Sequence, residues 1–152
     1  MNNYEDLFHI IKMRVCRNNN ETDSTLNLRN NYRTDQIWHR IEQIFILECL
    51  LFDYRQKNGS QHSPLENEKA LHHMIFSKTK WSLNDIRKLS FNDCMLIIAK
   101  ELRIENIPTD AQYFLNQMRL PAKTSSYPLD EFSEADWDPK EDSMFLKVGT
   151  YQ

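Results

Sequence analysis

Two pairs of histidine and glutamate have the helical spacing at which metal ligands are sometimes found. His39 and Glu42 are three residues apart. Glu68 and His72 are four apart, so each pair would share one face of a helix. His73 cannot complete a site with His72, because adjacent residues on a helix point about 100° apart. With no cysteine pair and no histidine-rich cluster to add ligands, the sequence predicts no metal site.

The cysteines and glycines do not form a catalytic or cofactor-binding pattern. Cys49 and Cys94 lie inside apolar runs, the three cysteines are an odd number, and none forms a CxxC motif. No nucleophile elbow occurs, and no thiol has evident positive charge around it. Gly59 and Gly149 are the only glycines, which is too few for a phosphate-binding loop. We therefore expect a protein that is not an enzyme and that binds no cofactor.

Aromatic and acidic residues alternate near the C-terminus. Residues 128–152 carry seven acidic and two basic side chains, a balance of −5, whereas residues 1–127 have a balance of +2. Such segments dock on proteins, because rings supply contact area while charges steer the encounter. The candidate partner-binding residues are Phe132, Trp137 and Phe145. A solvated terminus is the alternative, but so many rings favour packing on the protein's own body or on a second copy.

A basic cluster and a helix-turn-helix outline lie close together. The candidate basic patch consists of Lys78, Lys80, Arg87 and Lys88. A solvated helix end is the ordinary explanation of such a cluster. Residues 82–103 have the helix, turn and helix order of a DNA-binding motif, but the second helix centres on the apolar run 94–99, which is typical of a core helix. Because residues 1–127 are also nearly neutral, nucleic-acid binding is disfavoured.

Helical periodicity accounts for the first half of the chain. Apolar residues recur at intervals of three or four at Tyr4, Leu7, Phe8, Ile11 and Val15, which predicts a first amphipathic helix. The polar run 18–24 ends it. The strongest helical pattern extends from Asp35 to Lys57, and Asn58-Gly59 is predicted as its C-cap.

Serine and threonine residues mark four further helix starts. Ser63-Pro64-Leu65-Glu66 combines an N-cap serine, a proline at the first helical position and a glutamate three residues on. This capping box predicts a helix to about Ser77. The other starts lie at Ser82, Ser90 and Thr109. We therefore expect six helices, one of them short.

The second helix is apolar on nearly every side. Eleven of the sixteen residues from 37 to 52 are apolar, which is too many for a single face. Such a helix must be surrounded, either by the other helices of the chain or by a second copy. The candidate dimer-interface residues are Trp38, Ile41, Phe45 and Phe52, and we expect a homodimer.

These features predict an all-α, single-domain helical bundle of about six helices with an extended acidic C-terminal tail. Residues 1–120 form the expected helical domain, and residues 121–152 the tail. The N-terminus lacks the basic and apolar regions of a signal peptide. The longest near-apolar stretch, 44–52, is interrupted by Glu48 and is too short to span a membrane. We therefore expect a cytoplasmic protein with no membrane partner.

Three features of the chain carry a resemblance: its small size, its fourteen asparagines and the segment Trp81-Ser82-Leu83-Asn84-Asp85-Ile86-Arg87-Lys88-Leu89-Ser90. In these features it resembles small uncharacterised proteins carried by enterobacterial prophages. The resemblance covers residues 80–120 and transfers no functional residue. It implies a bacterial or phage cytoplasm. The sequence thus predicts a non-enzymatic accessory protein that acts through protein-protein interaction as a homodimer. The alternative is a dimeric transcriptional regulator that binds DNA.

Overall fold

The computed structural model describes residues 3–27 and 31–147, and the regular structure of these residues is entirely helical. Within them we number seven α-helices: α1 Asn3–Asn18, α2 Tyr32–Asn58, α3 Glu68–Thr79, α4 Leu83–Arg87, α5 Phe91–Ile97, α6 Thr109–Gln117 and α7 Pro139–Asp142. The predicted all-α class is therefore confirmed. None of the described helices combines the length and the apolar composition needed to cross a membrane.

The long helix α2 has a polar cap at each end. The Asn31 side chain accepts hydrogen bonds from the backbone N–H groups of Arg33 and Thr34, at 2.9 and 3.2 Å. At the other end, the N–H of Gly59 donates to the carbonyl oxygen of Arg55 at 2.8 Å. Gly59 is thus the C-cap that the sequence predicts, with an extended rather than a left-handed backbone.

Aromatic rings from α1 and α6 enclose α2. Phe8 of α1 stacks near Trp38, with ring centroids 6.4 Å apart, and meets Phe45 edge-on at 5.6 Å. Phe114 of α6 lies 5.9 Å from Phe8 and 5.5 Å from Phe45. Such aromatic contacts add to the stabilisation from buried apolar area. The chain's own helices therefore cover most of the apolar excess of α2, while Leu50 and Phe52 remain half-buried.

The helix predicted to begin after Ser63 begins instead at Glu68, so the predicted capping box is wrong. Leu65 and Asn67 have positive φ angles of 58° and 55°, which no helix contains. The cause is a contact from α2. The Arg55 guanidinium donates to the carbonyl oxygens of Leu65 and Asn67, both at 2.8 Å, and holds the segment outside the helix.

The two serine caps farther along the chain are confirmed. Ser82 Oγ accepts from the N–H of Asp85, and Ser90 Oγ accepts from the N–H of Asp93, each at 3.1 Å. They start α4 and α5. The last long helix, α6, begins at Thr109 as predicted.

After α6 the chain returns across α1 and α2. We call residues 121–147 the C-terminal segment. It contains a 3₁₀ turn, Glu134–Asp136, and the short helix α7. Gln36 of α2 donates to the carbonyl oxygen of Pro128 at 2.6 Å, and Tyr32 donates to that of Ser126 at 2.8 Å. These bonds fix the segment where it crosses α2.

Candidate functional site

Large apolar side chains are exposed where α3 turns into α4. Phe76, Trp81 and Leu83 expose 36%, 49% and 39% of their surface. Lys80 is in the left-handed conformation, with φ 62°, and its N–H donates to the Phe76 carbonyl oxygen at 2.8 Å. This turn ends α3 and places Trp81 outside the core. Because these exposed apolar residues are concentrated in one short stretch, the turn is a candidate site for interaction with another molecule.

The four residues of the predicted basic patch are exposed in the same stretch. Lys80 Nζ lies 5.7 Å from the centroid of the Phe76 ring, and Lys78 Nζ lies 2.7 Å from Glu101 Oε1. Among the described residues, Lys80, Arg87 and Lys88 have no carboxylate within ion-pair distance. We define the 76–88 surface as Phe76, Lys78, Lys80, Trp81, Leu83, Arg87 and Lys88. It combines exposed aromatic area with positive charge.

Helices α4 and α5 have the order of a helix-turn-helix but not its surface chemistry. Helix α5 contains no lysine or arginine, and Asp93 lies in its first turn, where it would repel phosphate. Cys94 and Met95 are buried, as the core interpretation of this helix predicts, whereas Leu96 is 76% exposed. Because α5 buries only one face, the Leu96 side chain on its other face is exposed to solvent. The arrangement does not favour base recognition by α5.

A buried ion pair joins α2 to the C-terminal segment. Arg40 Nε lies 3.0 Å from Asp136 Oδ2, and neither side chain is exposed. Asn19 donates to Asp136 at 3.0 Å, and the Arg40 guanidinium lies 5.1 and 5.6 Å from the centroids of Phe91 and Phe132. Burial lowers the pKa of Arg40, and the hydrogen bond and charge of Asp136 offset part of that shift. A buried charge is tolerated only when its partner is present, so the contact between α2 and the C-terminal segment depends on both Arg40 and Asp136.

A second buried cluster joins α1 and α2 to α7. Arg14 Nη2 lies 2.6 Å from both Asp142 Oδ1 and Glu141 Oε1. Burial lowers the pKa of Arg14, but its hydrogen bonds and charge interactions with Asp142 and Glu141 raise it overall. Burial raises the pKa of Glu48 well above its ordinary value, and the hydrogen bond and charge of Asp142 add to this rise. Trp137 Nε1 donates a hydrogen bond to Glu48 Oε2 at 3.3 Å.

The aromatic residues predicted to bind a partner contact the protein itself. Phe132 is only 4% exposed, and the Arg33 guanidinium lies 4.6 Å from its ring centroid. Trp137 stacks on Phe91 with centroids 5.0 Å apart, and Phe145 is half-buried against the core. The ring area of Phe132 is therefore already covered within the chain.

The candidate dimer-interface residues of α2 lie mostly inside the single chain. Trp38, Ile41 and Phe45 are 7%, 0% and 0% exposed within a single chain. The Trp38 indole N–H donates to the carbonyl oxygen of Leu26 at 3.0 Å, which completes its burial. Phe52 alone of the four is half-buried. In this arrangement the three enclosed side chains have little surface to offer a second copy.

The histidine pairs do not assemble ligand sets. The described residues contain no group of three or more histidine, cysteine, aspartate or glutamate side chains placed to hold a metal ion. Burial lowers the pKa of both His39 and His72. His73 Nδ1 lies 2.6 Å from the Tyr54 hydroxyl, so the His73 ring has a hydrogen-bond partner within the protein. The two neighbouring histidines thus have separate surroundings.

The thiols are enclosed and protonated. Cys16, Cys49 and Cys94 are all buried and unpaired with one another. Burial raises the pKa of Cys16 and of Cys94 to about 11, and that of Cys49 well above its ordinary value. Because the thiolate is the reactive form, these cysteines are poor nucleophiles at neutral pH.

Comparison with known proteins adds nothing to this geometry: no family model, curated protein or solved structure matches the chain.

Sequence reasoning identified the four cations of the 76–88 surface but missed its apolar members. Trp81 carries the one usable signal, since it immediately precedes the N-cap Ser82 and so lies in a turn. The buried ion pairs have no comparable local signal.

Proposed function

We propose that the protein is a non-enzymatic accessory protein that acts by binding another protein through the 76–88 surface. The exposure of Trp81 beside the unpaired cations is the observation that carries the proposal. Tryptophan and arginine are enriched among the residues that dominate binding energy, and a half-exposed indole has area left to bury. The partner should present an apolar pocket with acidic residues around its rim, because opposite charges speed association and fix orientation.

The carboxylates of Glu48 and Asp142 belong to the interior of the protein. The Glu48 and Asp142 side chains are 5% and 2% exposed, so a substrate has little access to them. In this proposal the helices form one bundle, and the acidic C-terminal segment packs on that bundle instead of binding an external partner.

We also propose a bacterial or phage cytoplasm as the place of action, in keeping with the prophage resemblance of residues 80–120.

The alternative, a dimeric transcriptional regulator, is favoured by one observation. Lys80, Arg87 and Lys88 have no carboxylate partner among the described residues and could meet phosphates. Binding to heparin and to bulk DNA at low salt tests this alternative. Phosphate contacts make the affinity fall steeply as salt is added. Retention that survives only at low salt and is lost in Arg87→Ser would favour the regulator.

Homodimer formation is a further part of the proposal. With Trp38, Ile41 and Phe45 enclosed, a dimer must form through side chains outside the core of α2. The 76–88 surface is unsuited to an isologous contact, because two copies would bring like charges together. Light scattering at tens of micromolar tests self-association, and a strict monomer contradicts it.

The binding function is tested by affinity capture from a nuclease-treated lysate of the bacterial host. The full chain is compared with Trp81→Ser and with the matched control Tyr113→Ser, since Tyr113 is an aromatic residue of α6 that is 69% exposed. We expect one acidic protein to be retained by the wild type and the control and lost with Trp81→Ser. The same retained proteins in all three samples would contradict the proposal.

A further inference from the structure

A small cavity, open to solvent on one side, lies between α2, helix α5 with the residues that follow it, and the C-terminal segment. Its volume is about 260 Å³. Its apolar walls are formed by Ile46, Met95, Ala99, Leu102 and Leu129. Ligand cavities for larger organic molecules usually measure about 300–1,000 Å³, so this one is suited to a single substituted ring.

His39 lies in the wall of this cavity with unused hydrogen-bonding capacity. The residue is 95% buried, and neither ring nitrogen has a hydrogen-bond partner among the described residues. A neutral imidazole carries one N–H donor and one acceptor nitrogen. Buried polar groups of folded proteins are nearly always paired, and each exception calls for an explanation. A bound molecule would supply the missing partner.

The charges at the cavity favour an uncharged ligand. Lys123 Nζ lies 3.0 Å from Glu42 Oε1, so the cation and the anion at the rim are paired with each other. Burial lowers the pKa of His39, which keeps the ring neutral at pH 7. Neither a carboxylate nor an ammonium group would find an unpaired charge here. Transfer of either from water would therefore be unfavourable.

The ring of Tyr127 favours a flat ligand. Its centroid lies 4.6 Å from that of His39, so an aromatic surface borders the orphaned imidazole. Aromatic pairs gain free energy beyond the area that they bury. A hydroxyl group can both donate and accept, and it therefore matches His39 in either tautomer.

We propose that this cavity binds a small uncharged aromatic alcohol of the phenol class, with its hydroxyl hydrogen-bonded to His39 and its ring against the apolar walls. This site is separate from the 76–88 surface and does not depend on the function proposed for that surface. The ligand would bind beneath the C-terminal segment, in contact with Tyr127 and Leu129.

The experiment titrates the ¹⁵N-labelled full chain with p-cresol, toluene and benzoate and follows amide shifts by NMR. We expect p-cresol to shift the amides of Met95, Ala99 and Tyr127. Toluene should bind roughly five- to tenfold more weakly, since it lacks one hydrogen bond worth about 1 kcal/mol. Benzoate should not bind. No shift with any probe at several millimolar, or equal affinity for p-cresol and toluene, would overturn the proposal.

Two variants locate the interaction. His39→Phe keeps a ring of similar size and should abolish the preference for p-cresol over toluene, whereas His73→Phe, outside the cavity, should preserve it. Ala99 is exposed at the rim, so Ala99→Trp can cover the opening without altering the core. It should prevent binding even if His39→Phe does not fold. Unchanged p-cresol affinity in Ala99→Trp would refute this location.

Discussion

Arg40 and Asp136 are 96 residues apart in the sequence, yet their side chains form an ion pair of 3.0 Å with neither exposed to solvent. The pair fixes the C-terminal segment against α2. Arg14 and Asp142 repeat the arrangement between α1 and α7. In both pairs the segment's carboxylate is satisfied by a guanidinium of the helical body. Part of the acidic charge of the C-terminal segment is therefore paired with buried arginines of the protein itself.

Removing one partner of the buried pair should be strongly destabilising. Asp136→Leu leaves Arg40 charged and buried without a carboxylate, so we expect the free energy of unfolding to fall by about 3–5 kcal/mol. The double change Arg40→Met with Asp136→Leu should recover much of that loss. Urea denaturation followed by circular dichroism measures both.

The control for this prediction is the pair of Lys57, which is exposed, and Asp53, which is half-buried, at 2.9 Å. Lys57→Met should change the free energy of unfolding by less than about 1 kcal/mol. An equally small effect of Asp136→Leu would show that the buried pair does not hold the segment.

Glu48 should make stability depend on pH. Its pKa is raised in the folded protein, so the folded state binds the proton more tightly than the unfolded state does. The stabilisation is complete below the ordinary glutamate pKa of 4.5 and is lost as the pH rises through the folded value. Glu48→Gln keeps a hydrogen-bonding side chain without the titration. Its stability relative to the wild type should increase steadily as the pH rises above about 5.

Denaturation curves of the two proteins at matched pH values check this dependence. Taking the difference between them cancels the contributions of His39 and His72, whose lowered pKa values act in the opposite direction at mildly acidic pH. A constant difference across the range would mean that Glu48 is ionised in the folded protein.

Truncation after Pro128 should expose an apolar surface. The shortened chain would lack Trp137, which stacks on Phe91, and the buried Phe132. It would also leave Arg14 and Arg40 without their carboxylate partners. We expect lower solubility, lower stability and binding of a hydrophobic dye, with most of the helical circular dichroism signal kept because α1 to α6 are intact. A truncated protein as soluble and as stable as the full chain would contradict this expectation.

Local signals in the sequence were sufficient for much of the helical fold. The N-caps Ser82 and Ser90 act within three residues of themselves, and periodicity located α1 and α2. The start predicted at Ser63 was wrong because Arg55, a residue of another helix, binds the carbonyl oxygens of Leu65 and Asn67. Propensity and capping rules contain no information about such distant contacts.

The candidate site was only partly predictable for the same reason. The cations of the 76–88 surface are visible in the sequence, but the exposure of Trp81 depends on the left-handed turn at Lys80. The burial of Phe45 depends on rings from α1 and α6, and the pairing of Arg40 depends on the return path of the C-terminal segment. Each of these is a tertiary contact that no short window of sequence determines.

In our proposal, the 76–88 surface binds a protein partner. Photo-cross-linking in living cells can detect that partner, with benzoylphenylalanine in place of Trp81 and, as the control, in place of Tyr113. We predict a cross-link from position 81 to one acidic protein, identified by mass spectrometry, and no such product from position 113. Cross-links from position 81 to nucleic acid alone, or the same products from both positions, would contradict the claim.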